Sequence, residues 1–142
     1  MSGAAVAIRH ATAADVDAIL DLWRRADAYP SVTDTPDDVA RVVAAPHAAV
    51  FVAVRDTGEI AGSLIATFDG WRGNVYRMAV EPEARRRGVG LALAAEAERW
   101  LRAAGARRLT ALVTGDDVRA RAFWEAAGFE LYAGMVRYAK NA

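Results

Sequence analysis

The sequence predicts an α/β (α+β) fold: a mixed, mostly antiparallel central sheet flanked by helices on both faces. Three observations predict it. Two apolar runs joined by a turn signal in the first half read as a hairpin, which builds antiparallel sheet. Strand and helix patterns alternate in the second half, which implies crossover helices over the sheet. Hydrophobic residues make up 54% of 142 residues and are spread along the chain. That length fits one domain, 1–142, burying about two-thirds of its unfolded surface.

The elements follow in order. Val6-Ala7-Ile8-Arg9-His10 alternates apolar and polar residues as a strand does. Thr12-Ala13-Ala14-Asp15 has the form of a capped helix start before Val16, Ile19, Leu20 and Trp23. Tyr29-Pro30-Ser31 breaks that helix. A second, short one opens with Thr35 as cap, Pro36 in the first helical position and Asp37-Asp38 in the first turn, and Pro46 ends it. Val50–Val54 and Ile60–Ala66 flank the turn Asp56-Thr57-Gly58-Glu59, which gives the hairpin. The loop Asp69-Gly70-Trp71-Arg72-Gly73 leads to a strand through Val75, Tyr76, Met78 and Val80, stopped by Pro82. A long helix is expected from the Gly88 turn, with Leu91, Leu93, Ala94, Ala97 and Leu101 apolar and Gly105 beyond its end. Leu109–Val113 reads as a strand and Arg119–Ala127 as a helix closed by Gly128. Phe129–Tyr132 and Met135–Tyr138 read as closing strands. No internal repeat, linker or low-complexity segment interrupts this order.

Composition excludes several classes of function. Without cysteine there is no disulfide framework, thiol nucleophile or cysteine metal site, and His10 and His47 make no metal motif; no metal is expected. No apolar run approaches the roughly 20 residues of a membrane span. Met1-Ser2-Gly3-Ala4-Ala5-Val6 lacks the basic and apolar segments of a signal peptide, so a cytoplasmic protein is expected. Eighteen basic residues balance eighteen acidic ones, which argues against a nucleic-acid partner. Lys140 is the only lysine, so the basic residues are nearly all arginine.

The most informative stretch is Val80-Glu81-Pro82-Glu83-Ala84-Arg85-Arg86-Arg87-Gly88-Val89-Gly90, at a strand-to-helix junction. A helix start offers unpaired N–H groups and about half a positive charge; glycines let the backbone close on a ligand, and arginines add charge-assisted bonds to phosphate. Two other phosphate motifs fail. Leu93 stands where a dinucleotide fingerprint needs a small residue, and the Gly-Lys-Ser/Thr of a nucleotide-binding loop is absent. An ordinary strand–helix connection with solvated arginines is the alternative.

Arg85-Arg86-Arg87-Gly88-Val89-Gly90 after Val80-Glu81-Pro82 resembles the Gln/Arg-x-x-Gly-x-Gly/Ala hallmark of the GNAT acetyltransferase superfamily. Asp117 to Phe129 resembles its second signature, Asn-x-x-Ala-x-x-Phe/Leu-Tyr-x-x-x-Gly-Phe, and the element order is similar along nearly the whole chain. The Asp69–Gly73 loop with the first signature looks similar to a small bacterial single-domain subgroup.

The resemblance implies acetyl-CoA as cosubstrate, its pyrophosphate against Arg87, Gly88, Val89 and Gly90 with Arg85, Arg86 and Leu91 adjoining. It implies pantetheine along Met78, Ala79 and Val80, where a splayed strand frees a backbone N–H for the thioester oxygen. Asp117, Ala120, Phe123 and Trp124 complete the implied cofactor contacts. The departures are Asp117, in place of asparagine, and Trp124, in place of the tyrosine that protonates departing CoA. Trp124 cannot serve as an acid; Tyr132 and Tyr138 are alternative hydroxyls, and Trp124 reads as a core aromatic. An amine must lose a proton before attack, so a carboxylate is expected as base, and Glu81 and Asp69 are the choices; a strand-end residue and a turn residue are their structural alternatives. Trp71, Arg72 and Tyr29 are expected to line the acceptor pocket, and Trp23 to belong to the core. The implied function is transfer of acetyl to a primary amine of a small molecule or peptide, with a homodimer compatible with the family. The competing readings are a CoA-binding sensor or structural module without catalysis, supported by the missing tyrosine, and an arginine-based nucleic-acid binder.

Overall fold

The computed structural model describes residues 5–26, 28–113 and 117–142; residues 1–4, read above for a leader peptide, lie outside them. The strands are β1 (Val6–His10), β2 (Ala48–Arg55), β3 (Ile60–Phe68), β4 (Gly73–Val80) and β5 (Leu109–Ala111). They form one sheet in the order β1-β2-β3-β4-β5. The first four pair antiparallel and β5 lies parallel to β4. The α-helices are α1 (Val16–Arg25), α2 (Pro36–Ala44), α3 (Val89–Ala104) and α4 (Val118–Ala126). No described helix is long and apolar enough to cross a membrane.

Local chemistry accounts for the helix boundaries. Thr35 Oγ1 accepts the Asp38 N–H at 3.1 Å and Pro36 occupies the first helical position, so α2 starts where its cap dictates. Thr12 and Asp15 form a reciprocal capping box over a short 3₁₀ turn that runs into α1. Helix α3 is bounded by left-handed glycines, Gly88 before it and Gly105 after it.

Alternation along β2 sends its side chains to two cores. Ala49, Phe51 and Ala53 face Leu93, Leu101 and Trp124 of α3 and α4; Val50 and Val52 face Ile19, Leu22 and Val39 of α1 and α2. The sheet is therefore covered on both faces, in keeping with central strands β2 and β3 that are mostly apolar along their length. Phe51, Leu64, Leu93 and Leu101 are fully buried, each worth about 2 kcal/mol of transfer free energy.

Two features depart from the sequence expectation. Strand β5 ends at Ala111, not Val113, and the two closing strands do not form: among the described residues, 129–142 carry no strand. A strand needs a neighbour to accept its ladder, and the backbone hydrogen bonds of this segment among the described residues are local: Phe129 N–H to Trp124 O at 2.9 Å and Met135 N–H to Tyr132 O at 3.2 Å. Leu131, Met135 and Val136 are consequently exposed, and Tyr138 is 94% exposed.

One irregularity positions the site. Between β3 and β4 the register jumps from Ser63↔Ala79 to Ile65↔Tyr76, so Arg77 and Met78 stand opposite Leu64 alone. This is a β-bulge, and Arg77 adopts the left-handed conformation there (φ 58°).

Candidate active site

The phosphate-type turn forms where the sequence places it. Gly88 (φ 81°) caps α3. A Cβ built on Gly88 meets nothing within 4 Å, so the backbone faces open space there. The first capping bond in α3 runs from the Ala92 N–H to Gly88 O at 3.0 Å. The N–H groups of Val89, Gly90 and Leu91 consequently lie in the first turn, which an α-helix leaves without intrahelical acceptors. Gly90 is small for a different reason: a Cβ there would stand 2.9 Å from Phe123 Cε1, so a larger residue would force the Phe123 ring to shift. Those donors, with a positive helix end, fit a pyrophosphate.

A cleft of about 1700 Å³ joins this turn to the rest of the site. Arg85, Arg86, Gly88, Gly90 and Leu91 line its turn end, and Met78, Ala79 and Val80 its β4 wall. Asp117, Ala120, Phe123 and Trp124 line it from α4. Arg87 is exposed beside it, and Val89 points into the core. Arg85 is turned back under the turn: Nε donates to Val80 O at 3.0 Å and Nη2 to Ala26 O at 3.2 Å, tying the end of β4 to the end of α1. Asp117 caps α4 by accepting the Ala120 N–H at 2.9 Å, the bond that an asparagine side chain would also make. Trp124 is buried, edge-on to both Phe123 and Phe129 at 4.9 Å between ring centres.

The far end of the cleft is formed by α1, the α1–α2 loop and the bulge. Trp23, Tyr29, Asp34, Asp38, Tyr76 and Arg77 line it. Trp23 is buried and donates from Nε1 to Ser63 Oγ at 3.0 Å, so it serves both the core and the cleft wall. Asp34 accepts the Ser31 N–H at 3.0 Å and pairs with Arg77 Nη2 at 2.7 Å; Asp38 pairs with Arg41 at 2.8 Å.

The remaining expected residues lie elsewhere. Glu81 is 3% exposed, accepts from Arg25 Nη1 at 2.8 Å and is ion-paired through its other oxygen with Arg55. Asp69 closes the turn before β4, accepting the N–H groups of Trp71 at 2.8 Å and Arg72 at 2.7 Å. Those bonds, that from Arg72 foremost, hold its carboxyl below the ordinary carboxylate range. The turn is at the opposite end of β4 from Val80, roughly 23 Å away at ~3.3 Å per residue. Trp71 is 70% exposed in that turn, with the Arg72 guanidinium 4.1 Å above its ring. Tyr132 lies under Arg108 (5.0 Å), and neither it nor Tyr138 lines the cleft. His10 and His47 are exposed. Among the described residues, no group of His, Asp and Glu could hold a metal.

Asp34, Tyr76 and Arg77 were not singled out by sequence. Tyr76 and Arg77 read as ordinary strand positions and Asp34 as loop; only the tertiary fold brings the three to one wall.

The model of the acetyltransferase (GNAT) family matches residues 16–129, a span that contains both the α3 turn and α4. The chain belongs to the GNAT acetyltransferase family. An acetyltransferase of Sodalis glossinidius (strain morsitans) is 28% identical over 127 residues, 89% of each chain. One of Photorhabdus laumondii subsp. laumondii is 31% identical over 103 residues, 72% of this chain and 71% of that one. The fold is shared with aminoglycoside 6'-N-acetyltransferase AAC(6')-Ih from Acinetobacter baumannii (TM-score 0.80, 20% identity, 96% and 99% of the two chains). It is shared also with aminoglycoside N-acetyltransferase AAC(6')-Iy in complex with CoA (TM-score 0.78, 22% identity, 99% and 97%). Membership makes this GNAT protein an N-acetyltransferase by class.

Proposed function

We propose that the protein transfers the acetyl group of acetyl-CoA to a primary amine of a small molecule or peptide by direct attack on the thioester. One observation carries the reading: a single cleft runs from the glycine-capped start of α3, along β4, to a wall of α1 and the α1–α2 loop where aromatic rings stand beside arginine–carboxylate pairs. The donors of Gly90 and its neighbours would hold the pyrophosphate, and Arg86 would supply charge beside them. Bound there, acetyl-CoA supplies an activated acyl group.

At the bulge, Arg77 and Met78 have no partner in the β3–β4 register, so a peptide N–H at this point is the donor we assign to the thioester oxygen. As the amine nitrogen bonds to the carbonyl carbon, negative charge grows on that oxygen; one pre-placed donor is worth roughly 3 kcal/mol to such a transition state. The C–S bond then breaks and sulfur keeps the electron pair. A thiol of pKa about 8.5 departs acceptably as thiolate, so no acid is needed at Trp124. Burial and two arginine partners support assigning Glu81 to hold α1 and β2 together, with the amine proton leaving to water in the open cleft. Tyr29 and Trp23 give the acceptor end an aromatic surface, while Asp34 and Asp38 are held in ion pairs with Arg77 and Arg41. Because fold neighbours include aminoglycoside acetyltransferases, amino sugars belong in any acceptor panel.

Calorimetric titration with acetyl-CoA and with CoA tests the donor site: saturable binding is expected, and no binding to either would end the proposal. The buried Trp124 in place of an acid favours one other reading, a CoA-binding module without turnover; tight acetyl-CoA binding with no acetylation across a broad amine panel would select it. We also propose a homodimer, in which the exposed apolar segment 129–138 packs against a second copy; its support is the cluster of Leu131, Met135, Val136 and Tyr138 in solvent. Sedimentation at micromolar concentration should give twice the 15.2 kDa of one chain, and a monomer would refute it.

A further inference from the structure

Arg77 is a long-chain residue held at φ 58°, a conformation that such residues rarely adopt, and it sits within the β4 bulge. Strained backbone of this kind persists only where the surroundings over-determine it. Here the surroundings act on the guanidinium. It lies 4.9 Å over the Trp23 ring and bonds Asp34 at 2.7 Å, with both charged side chains mostly shielded from water. Each partner is itself fixed: Trp23 to Ser63, across the strand from Ala79, and Asp34 to the Ser31 N–H. The chain of contacts thus encircles the bulge from β3 through α1 to the α1–α2 loop.

We infer that Arg77 is a positioning residue, whose pairing with Asp34 and stacking on Trp23 hold the β4 bulge open so that its freed N–H faces the cleft. The inference rests on the acetyl-transfer reading for its functional consequence but not for its structural content. Arg77 touches no reacting atom. Its loss should lower turnover while sparing CoA affinity, because the pyrophosphate site is at α3, beyond the end of β4.

The test uses Asp34→Asn, which removes the ion pair but leaves Arg77 in place, and Arg77→Gly, which removes the guanidinium while suiting the left-handed backbone. Four quantities are read in the full chain: amide hydrogen exchange over 76–80, CoA affinity by calorimetry, kcat with a saturating amine, and Tm. Both variants should exchange at least tenfold faster over 76–80 and lose at least tenfold in kcat, with CoA affinity within about threefold of the parent. Arg77→Gly should melt no lower than the parent, which separates positioning from general stability. Unchanged exchange over 76–80, or Arg77→Gly with parental kcat, would overturn the inference. If the parent shows no amine-dependent turnover, the transfer reading fails separately, and exchange over 76–80 decides alone whether the pair holds the bulge: faster supports it, unchanged overturns it.

Discussion

Replacing Glu81 by glutamine separates a base from a clamp. The substitution keeps shape and the Glu81 N–H bond to Ala61 O at 2.9 Å, but removes the charge that Arg25 and Arg55 face. Breaking a buried pair from one side costs about 3–5 kcal/mol, chiefly through the charge left behind. Two features reduce that here. Arg25 is 41% exposed and keeps Asp21 at 2.9 Å, and Arg55 keeps Glu59 at 3.6 Å. About 2–3 kcal/mol remains, and at roughly 3–4 °C per kcal/mol for a domain of this size Tm should fall by about 6–12 °C. Turnover, measured well below Tm as amine-dependent release of CoA thiol, should change less than tenfold. A general base would behave in the opposite way, since its removal costs about 10²–10⁴ in rate. A hundredfold loss of kcat with Tm unchanged would refute the clamp and return Glu81 to the chemistry.

Gly88→Ala should cost about 1–2 kcal/mol of stability because alanine is disfavoured at φ 81°, and should weaken acetyl-CoA at least tenfold by calorimetry, since its Cβ enters the space over the helix start. Asp15 is held down to about 2, first by the Arg9 hydrogen bond and then, against burial, by Thr12. A depressed carboxyl contributes stability above its unfolded value near 3.8 and loses it as pH falls through about 2; at neutral pH Asp15→Asn should therefore cost about 2 kcal/mol, and the gap to the parent in urea melts should close between pH 4 and pH 2. Trp124→Tyr should lower Tm through lost packing on Phe123 and Phe129 without raising kcat; a tenfold rise would mean that thiolate departure limits the rate.

The parts of this molecule that local chemistry determines were legible in the sequence. Thr35-Pro36 starts α2, Asp56–Glu59 turns the hairpin, and Gly88 and Gly105 bound α3, because caps and left-handed turns depend on residues within four positions. The glycine turn before α3 shares that locality. Partners distant in sequence were not legible: Glu81 meets Arg25 across 56 positions, and Arg77 meets Asp34 across 43. The residues Tyr76-Arg77-Met78 do not themselves mark a bulge, since a register shift belongs to two strands at once; only the family resemblance implied a splayed strand near Met78. The apolar residues of 129–132 and 135–138 suggested closing strands that do not form, because a ladder requires a neighbouring strand and none of the described residues pairs with them. Trp71 and Arg72 had aromatic and basic character suited to a pocket, yet β4 carries them to its far end.

Release of CoA thiol from acetyl-CoA, followed across a panel of primary amines that includes amino sugars, decides whether the protein transfers acetyl to an amine. Amine-dependent release that saturates in both acetyl-CoA and amine is expected. Saturable acetyl-CoA binding with no release above the hydrolytic background, for every amine, would contradict it.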